Sequence, residues 1–188
     1  LPKKFVSKKI LQFENEIRVY EEQDKRSPPQ KGVILFVGSS SIRMWKTLAH
    51  DMKPLPVINR GFGGSLASDV LDYLERIVFN YKPSKIVYYE GDNDISSGKT
   101  AEEFRDDVAS FVKAALERLP DTEIFLLSVK LSPSREEFWS EYRKANLLLQ
   151  KLAENDKRIH FIDIVTPMQD SAGKVREELF LQDKLHLN

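Results

Sequence analysis

The sequence predicts an α/β protein, a three-layer α/β/α sandwich on a five-stranded parallel sheet. Short apolar runs alternate along the chain with stretches whose apolar residues recur at the 3.6-residue helical period. Three of those runs end in glycine and small polar residues, the composition expected of ligand-binding loops at strand ends. No internal repeat, low-complexity tract or long Pro/Gly/Ser linker divides the chain, and 188 residues suit one domain with one core. Residues 1–188 are therefore expected to form a single domain, with 1–31 as an N-terminal helical extension packed on it.

Each element has its own signal. Residues 5–24 predict a helix, with Phe5, Ile10, Phe13 and Ile17 set among Lys and Glu, until Ser27-Pro28-Pro29 breaks it. Val33-Ile34-Leu35-Phe36-Val37 is apolar without alternation and predicts a strand buried on both faces. It ends at Gly38-Ser39-Ser40-Ser41, and Ile42 to His50 predicts the next helix. Pro56-Val57-Ile58 is a second strand, closed by Asn59-Arg60-Gly61-Phe62-Gly63-Gly64; a helix follows from about Ser68, with Val70, Leu71, Leu74, Ile77 and Val78 on one face. Lys85 to Tyr89 is a third strand, ending in Gly91-Asp92-Asn93-Asp94. Phe104, Val108, Phe111, Val112, Ala115 and Leu119 then mark a helix whose start carries a Thr100/Glu103 capping box. Glu123 to Val129 is a fourth strand, Glu136 to Glu154 a helix, and Ile159 to Ile162 a fifth strand. Strands joined by helical crossovers imply a mostly parallel, flavodoxin-like sheet, with ligands beyond its carboxyl edge.

Composition narrows the chemistry. Lys plus Arg total 29 and Asp plus Glu total 29, so net charge gives no reason to expect nucleic acid or an anionic membrane as partner. The absence of cysteine excludes disulfides, thiolate metal sites and a cysteine nucleophile, and is compatible with any compartment. No run approaches the roughly 18 apolar residues of a membrane helix. The chain starts at Leu1 rather than Met, as after removal of a signal peptide or trimming.

Four loops carry candidate chemistry. A serine after a buried strand, entering a helix, lies at the positive end of the helix dipole; it also suits a helix N-cap. Three glycines between Gly61 and Gly64 let the backbone approach a ligand closely, or simply make a tight turn. Neither a dinucleotide fingerprint nor a phosphate loop is present, which argues against a flavin or nucleotide binder. An asparagine amide in Gly91-Asp92-Asn93-Asp94 can donate to an oxyanion, and the aspartates can cap a turn. Without clustered histidines or a downstream glutamate at calcium-loop spacing, they do not suggest a metal. The chain has three histidines. His50 ends a helix and His160 lies inside a strand, where each reads as structural; His186 follows Asp183 by three residues, so the carboxylate can hold one ring nitrogen while the other takes a proton.

In order, Gly-x-Ser, Asn-x-Gly-x-x-Gly, Gly-x-Asn-Asp and a terminal Asp-x-x-His resemble the SGNH/GDSL hydrolases over about residues 33–188. Leu131-Ser132-Pro133-Ser134-Arg135 and Asp163-Ile164 are similar to the lysophospholipase-like and platelet-activating-factor-acetylhydrolase-like branch. Ser39 stands where the family's Gly-Asp-Ser block has aspartate. The resemblance implies an SGNH hydrolase fold and hydrolysis of a small-molecule carboxylic ester, by an acyl- or acetylesterase or a lysophospholipase-like enzyme, without metal or cofactor; short acyl esters, sugar acetates and lysophospholipids are all open as substrates. It implies Ser40 as nucleophile, His186 as base and Asp183 as its partner, with Ser40, Gly64 and Asn93 forming the oxyanion hole. Arg60 and Phe62 are expected to contact substrate, while Trp45 and Arg135 read as packing and surface charge. The family's further helix after the histidine loop does not appear in this sequence, as expected of a trimmed or disordered tail; only if the natural chain ended there would His186 be weakly anchored. The alternative is a non-catalytic carbohydrate- or lipid-binding module on the same fold.

Overall fold

The computed structural model describes residues 10–188, so the expected helical positions 5–9, Phe5 among them, lie outside the described residues. Apolar runs too short for helices form five strands: Ile34–Gly38 (β1), Val57–Asn59 (β2), Lys85–Tyr89 (β3), Glu123–Leu127 (β4) and Ile159–Ile162 (β5). They lie in the order β2-β1-β3-β4-β5, and every pairing is parallel. After β1 the chain goes out to β2 and returns past β1 to add β3, so the strand order reverses between β1 and β3. That reversal opens a crevice beyond the carboxyl ends of these strands, where ligands bind in open α/β sheets.

Alternate residues divide the core between the two faces. Leu35, Val37, Ile86, Tyr88, Ile124 and Leu126 join the larger cluster, packed under helices Ile10–Arg26 (α1), Ala67–Asp72 (α4), Leu74–Ile77 (α5), Ala101–Arg118 (α7) and Trp139–Ala153 (α8). Ile34, Phe36 and Tyr89 face the other way, against Ile42 and Leu48 of the short helices Ser40–Arg43 (α2) and Leu48–Asp51 (α3). A further short helix, Asp92–Ser96 (α6), follows β3. On this second face the strands β4 and β5 are thinly covered. Phe125 stacks on His160 there, and Ile162 is 39% exposed.

Three expected helices differ from the structure. The segment Ile42 to His50 is two four-residue helices, because Trp45 turns in edge-on against Phe36 and its indole N–H reaches Asp51 at 2.6 Å. The helix expected from Ser68 breaks at Tyr73 (φ −112°, ψ 7°), a break that no Gly or Pro marks. The helix expected from Glu136 begins at Trp139; a 3-10 turn, Pro133–Phe138, precedes it and is interrupted at Arg135 (φ −128°, ψ 30°).

Helix α1 is tied to the sheet's glycine-rich loop. Phe13 packs edge-on against Phe62, and the Tyr20 hydroxyl donates to the Gly61 carbonyl. Arg76 of α5 bridges Glu14 and Glu21 of α1.

Candidate active site

Gly38 ends β1 at φ +152°, and a Cβ placed there would stand 2.0 Å from the Tyr89 carbonyl oxygen. Only glycine lets β1 and β3 stay paired to their ends, and the next residues then leave the sheet at its rim. The Ser39 N–H donates back to Tyr89 O at 3.2 Å, and Ser40 opens α2. Since α2 is one turn, it contributes the free N–H of its first residue rather than a long dipole. After β2, Gly64 takes a left-handed φ of +79° and is exposed; a Cβ there would meet nothing within 4 Å. Its backbone conformation, rather than crowding, is what favours glycine. Among the described residues neither the Ser40 N–H nor the Gly64 N–H has a protein acceptor.

The loop after β5 brings in the histidine. Its turn carries Lys184 in the left-handed region (φ 54°) and closes with Lys184 N–H to Leu181 O and Leu181 N–H to His186 O. An antiparallel bridge between Phe180 and Leu187 and the Asn188 N–H to Leu179 O bond complete it. The loop that carries His186 is thus a small hydrogen-bonded hairpin. Ser134 braces it from outside, with its N–H at 3.1 Å and its hydroxyl at 3.0 Å from the Lys184 carbonyl.

These loops bring the distant residues together. His186 Nε2 lies 2.8 Å from Ser40 Oγ, across 146 positions of sequence, and Nδ1 lies 2.7 Å from Asp183 Oδ2. Asp183 Oδ1 accepts the Leu185 and His186 backbone N–H groups at 2.9 and 3.0 Å. The His186 ring and these two N–H groups hold the Asp183 carboxyl well below the usual carboxylate range. Asn93, on α6, donates its amide N–H to Ser65 O at 3.1 Å and receives Arg135 Nη2 on Oδ1 at 3.1 Å. Beside His186 a cleft of about 480 Å³ is lined by Ser41, Met44, Trp45, Thr47, Leu187 and Asn188, among others. Such an arrangement can lower the barrier to attack on an acyl carbon, since a hydroxyl stands within hydrogen-bond reach of a base that a carboxylate orients.

The model of the GDSL-like Lipase/Acylhydrolase family matches residues 33–188. The chain belongs to that family. It is therefore an ester-hydrolysing enzyme, and the alternative of a non-catalytic binding module is set aside. No curated protein matches the sequence. Among solved structures, a Streptococcus pneumonia protein provisionally described as a platelet activating factor superposes with a TM-score of 0.82 at 23% identity, covering 95% of this chain and 87% of that one. A GDSL-like lipase from Bacteroides thetaiotaomicron gives 0.74 at 20% identity, covering 92% and 89%. An acetylxylan esterase from Geobacillus stearothermophilus gives 0.68 at 13% identity, covering 85% and 88%. At these identities the three establish the shared fold.

Two expected substrate contacts of this GDSL-like hydrolase need correction. Arg60 is 6% exposed and lies between the Tyr20 and Tyr81 rings, donating to the Tyr81 hydroxyl, the Asn59 carbonyl and Asp24. A guanidinium can be buried when carboxylate and ring faces satisfy it, and that structural use leaves it no reach to a ligand. Phe62 is fully buried between Phe13 and Tyr73, because its loop turns the ring into the core. Trp45, read as packing, does pack on Phe36, and it also lines the cleft. His50 is exposed in α3, and His160 Nε2 sits 3.2 Å from Glu123 at the thinly covered face.

A buried ionic cluster beneath the rim escaped the sequence reading. Lys130, 1% exposed, reaches Asp92 at 2.5 Å, the Tyr89 hydroxyl at 3.0 Å and Ser41 Oγ at 3.0 Å. Burial alone would raise the Asp92 pKa, but Lys130 and then Arg135 outweigh it and hold the carboxyl below its ordinary value. The available signal was a lone lysine in the apolar run Val129-Lys130-Leu131 just past β4, where an unpaired charge is expensive to bury. Among the described residues no group of three His, Asp or Glu side chains is placed to hold a metal ion, and no helix is long and apolar enough to cross a membrane.

Proposed function

We propose that the protein is a serine esterase of small, short-acyl carboxylic esters, with Ser40, His186 and Asp183 as its catalytic residues. The observation that carries this reading is the unbroken contact from Asp183 Oδ2 through both ring nitrogens of His186 to Ser40 Oγ. The Asp183 carboxylate sets the tautomer that leaves Nε2 as acceptor. Ser40 Oγ attacks the ester carbonyl as Nε2 takes its proton, and the backbone N–H groups of Ser40 and Gly64 with the Asn93 amide meet the oxyanion. Imidazolium at His186 then protonates the departing alcohol, leaving an acyl group on Ser40. Water, deprotonated by the same nitrogen, releases the acid and restores the serine. No metal or cofactor takes part in these steps.

Support for a small substrate comes from the cleft. Its volume is at the lower end of ordinary ligand sites, and Met44, Trp45 and Leu187 give it an apolar side.

Hydrolysis of p-nitrophenyl acetate tests the chemistry. Wild type turns over; Ser40→Ala and His186→Ala each lose at least about 10³-fold in kcat. Equal rates for all three proteins would reject the assignment. Across acyl lengths from acetyl upward, with sugar acetates and lysolipids included, kcat/KM falls as the acyl chain grows; a maximum on lysolipids would reject the short-acyl reading alone.

A further inference from the structure

An asparagine helps an oxyanion only if its amide nitrogen, not its oxygen, faces the reacting centre, and a side-chain amide can rotate by half a turn. Two neighbours decide the matter for Asn93. Its Nδ2 stands 3.1 Å from Ser65 O, which can only accept, and its Oδ1 stands 3.1 Å from Arg135 Nη2, which can only donate. Reversing the amide would set donor against donor and acceptor against acceptor. One Nδ2 hydrogen serves Ser65, and the other has no protein acceptor among the described residues.

From this geometry we infer that Arg135 is a positioning residue for ester hydrolysis, holding the Asn93 amide with its second N–H free for the oxyanion. The inference rests on the oxyanion role proposed for Asn93.

Arg135 is itself held. Its Nη1 lies 3.6 Å from Asp92 Oδ1, an oxygen that is buried and has no hydrogen bond. Asp92 is fixed in turn by Lys130 and Tyr89 through Oδ2, while the Tyr142 hydroxyl donates to its carbonyl at 2.9 Å. The Arg135 segment also reaches the other site loops: Lys130 donates to Ser41 beside the nucleophile, and Ser134 holds the histidine loop. A surface arginine placed for solubility would not end between an aspartate only 2% exposed and an amide proposed for the oxyanion.

A double-mutant cycle on p-nitrophenyl acetate tests the inference. Asn93→Ala should lower kcat by about 10²–10³-fold. Arg135→Ala should lower kcat by about 10- to 10²-fold with KM little changed, as for a donor left in place but misaligned. Combined, the two should be no slower than Asn93→Ala alone, because Arg135 acts through that amide. Added guanidinium ion should raise the rate of Arg135→Ala and leave the double variant unchanged. Arg135→Lys keeps a cation beside Asp92 and provides a folded comparison if the alanine variant is unstable; it too should lose kcat, without further loss in the Asn93→Ala background. Additive losses, or a wild-type kcat in both Arg135 variants beside an impaired Asn93→Ala, would overturn the inference alone. A wild-type kcat in Asn93→Ala would remove the oxyanion role on which it stands.

Discussion

Asp183 meets its loop and its histidine through different oxygens, and that separation makes its role measurable. Oδ1 takes the two backbone N–H groups that shape the turn, while Oδ2 takes the imidazole. Asn at this position keeps an oxygen for the backbone and presents an NH₂ group to Nδ1. The ring must then turn its other tautomer toward Ser40, with Nε2 as donor instead of acceptor. Asp183→Asn should therefore lower kcat without unfolding the loop. The side chain is 46% exposed, so water screens the interaction and the expected loss is about 10²–10⁴-fold, below or at that of fully buried triad acids. Steady-state kinetics beside a thermal melt check this; an unchanged kcat would leave Asp183 as a turn former only. Because its hydrogen bonds hold the Asp183 carboxyl far down, it stays ionised well below the usual carboxylate range. Its stabilising contribution is present above the unfolded value and fades as pH falls toward the folded one. Activity lost on mild acidification should accordingly not come from protonation of Asp183.

Among the elements, α7 has the most complete local specification. The Thr100 hydroxyl accepts the Glu103 N–H at 3.2 Å, the Glu103 carboxylate accepts the Thr100 N–H at 2.8 Å, and Phe104, Val108, Phe111, Val112 and Ala115 are buried along one side. Thr100→Ala should cost about 1 kcal/mol of stability, visible as a lower urea midpoint at unchanged slope. An unchanged midpoint would mean that core packing alone fixes the helix start. Strands and this helix were readable because local pattern and burial agree: β3 and β5 begin and end where the apolar runs do. Helices were misread where a single tertiary contact overrides the pattern, as Trp45 does by turning onto Phe36. The site divides in the same way. Ser40, Asp183 and His186, which the structure brings into contact, stand in motifs formed by their neighbours in sequence, and Gly64 and Asn93 were proposed from motifs of the same kind. The burial of Arg60 and Phe62 was not, since both stand in the glycine loop and are claimed by partners on α1. Lys130 and Arg135 lie 38 and 42 positions from the groups they hold, a relation that one strand's neighbours do not announce.

Taken as a whole, the molecule concentrates buried acids behind one rim. Asp92 and Asp94 have cations to answer them, Lys130 and Lys99. Glu90, just past β3, has none among the described residues: Ser65 Oγ donates to its Oε1 at 2.6 Å, and its Oε2 has no partner among them. Burial, and then the Asp94 charge, push its pKa well above the ordinary glutamate value, while the Ser65 hydroxyl works against them. A carboxyl raised on folding favours the native state at low pH, and that advantage is lost as pH rises from the unfolded value through the folded one. Rising pH should therefore erode global stability through Glu90, and Asn93, proposed above as an oxyanion donor, is exposed to the effect because the Ser65 carbonyl also accepts its amide. Glu90→Gln has nearly the shape of the neutral acid and cannot ionise. Its melting temperature, measured against wild type across the pH range, should gain on wild type steadily from acid to alkaline conditions, whatever the offset at the start. A difference independent of pH would show that Glu90 keeps one protonation state throughout and that alkaline loss of stability has another source.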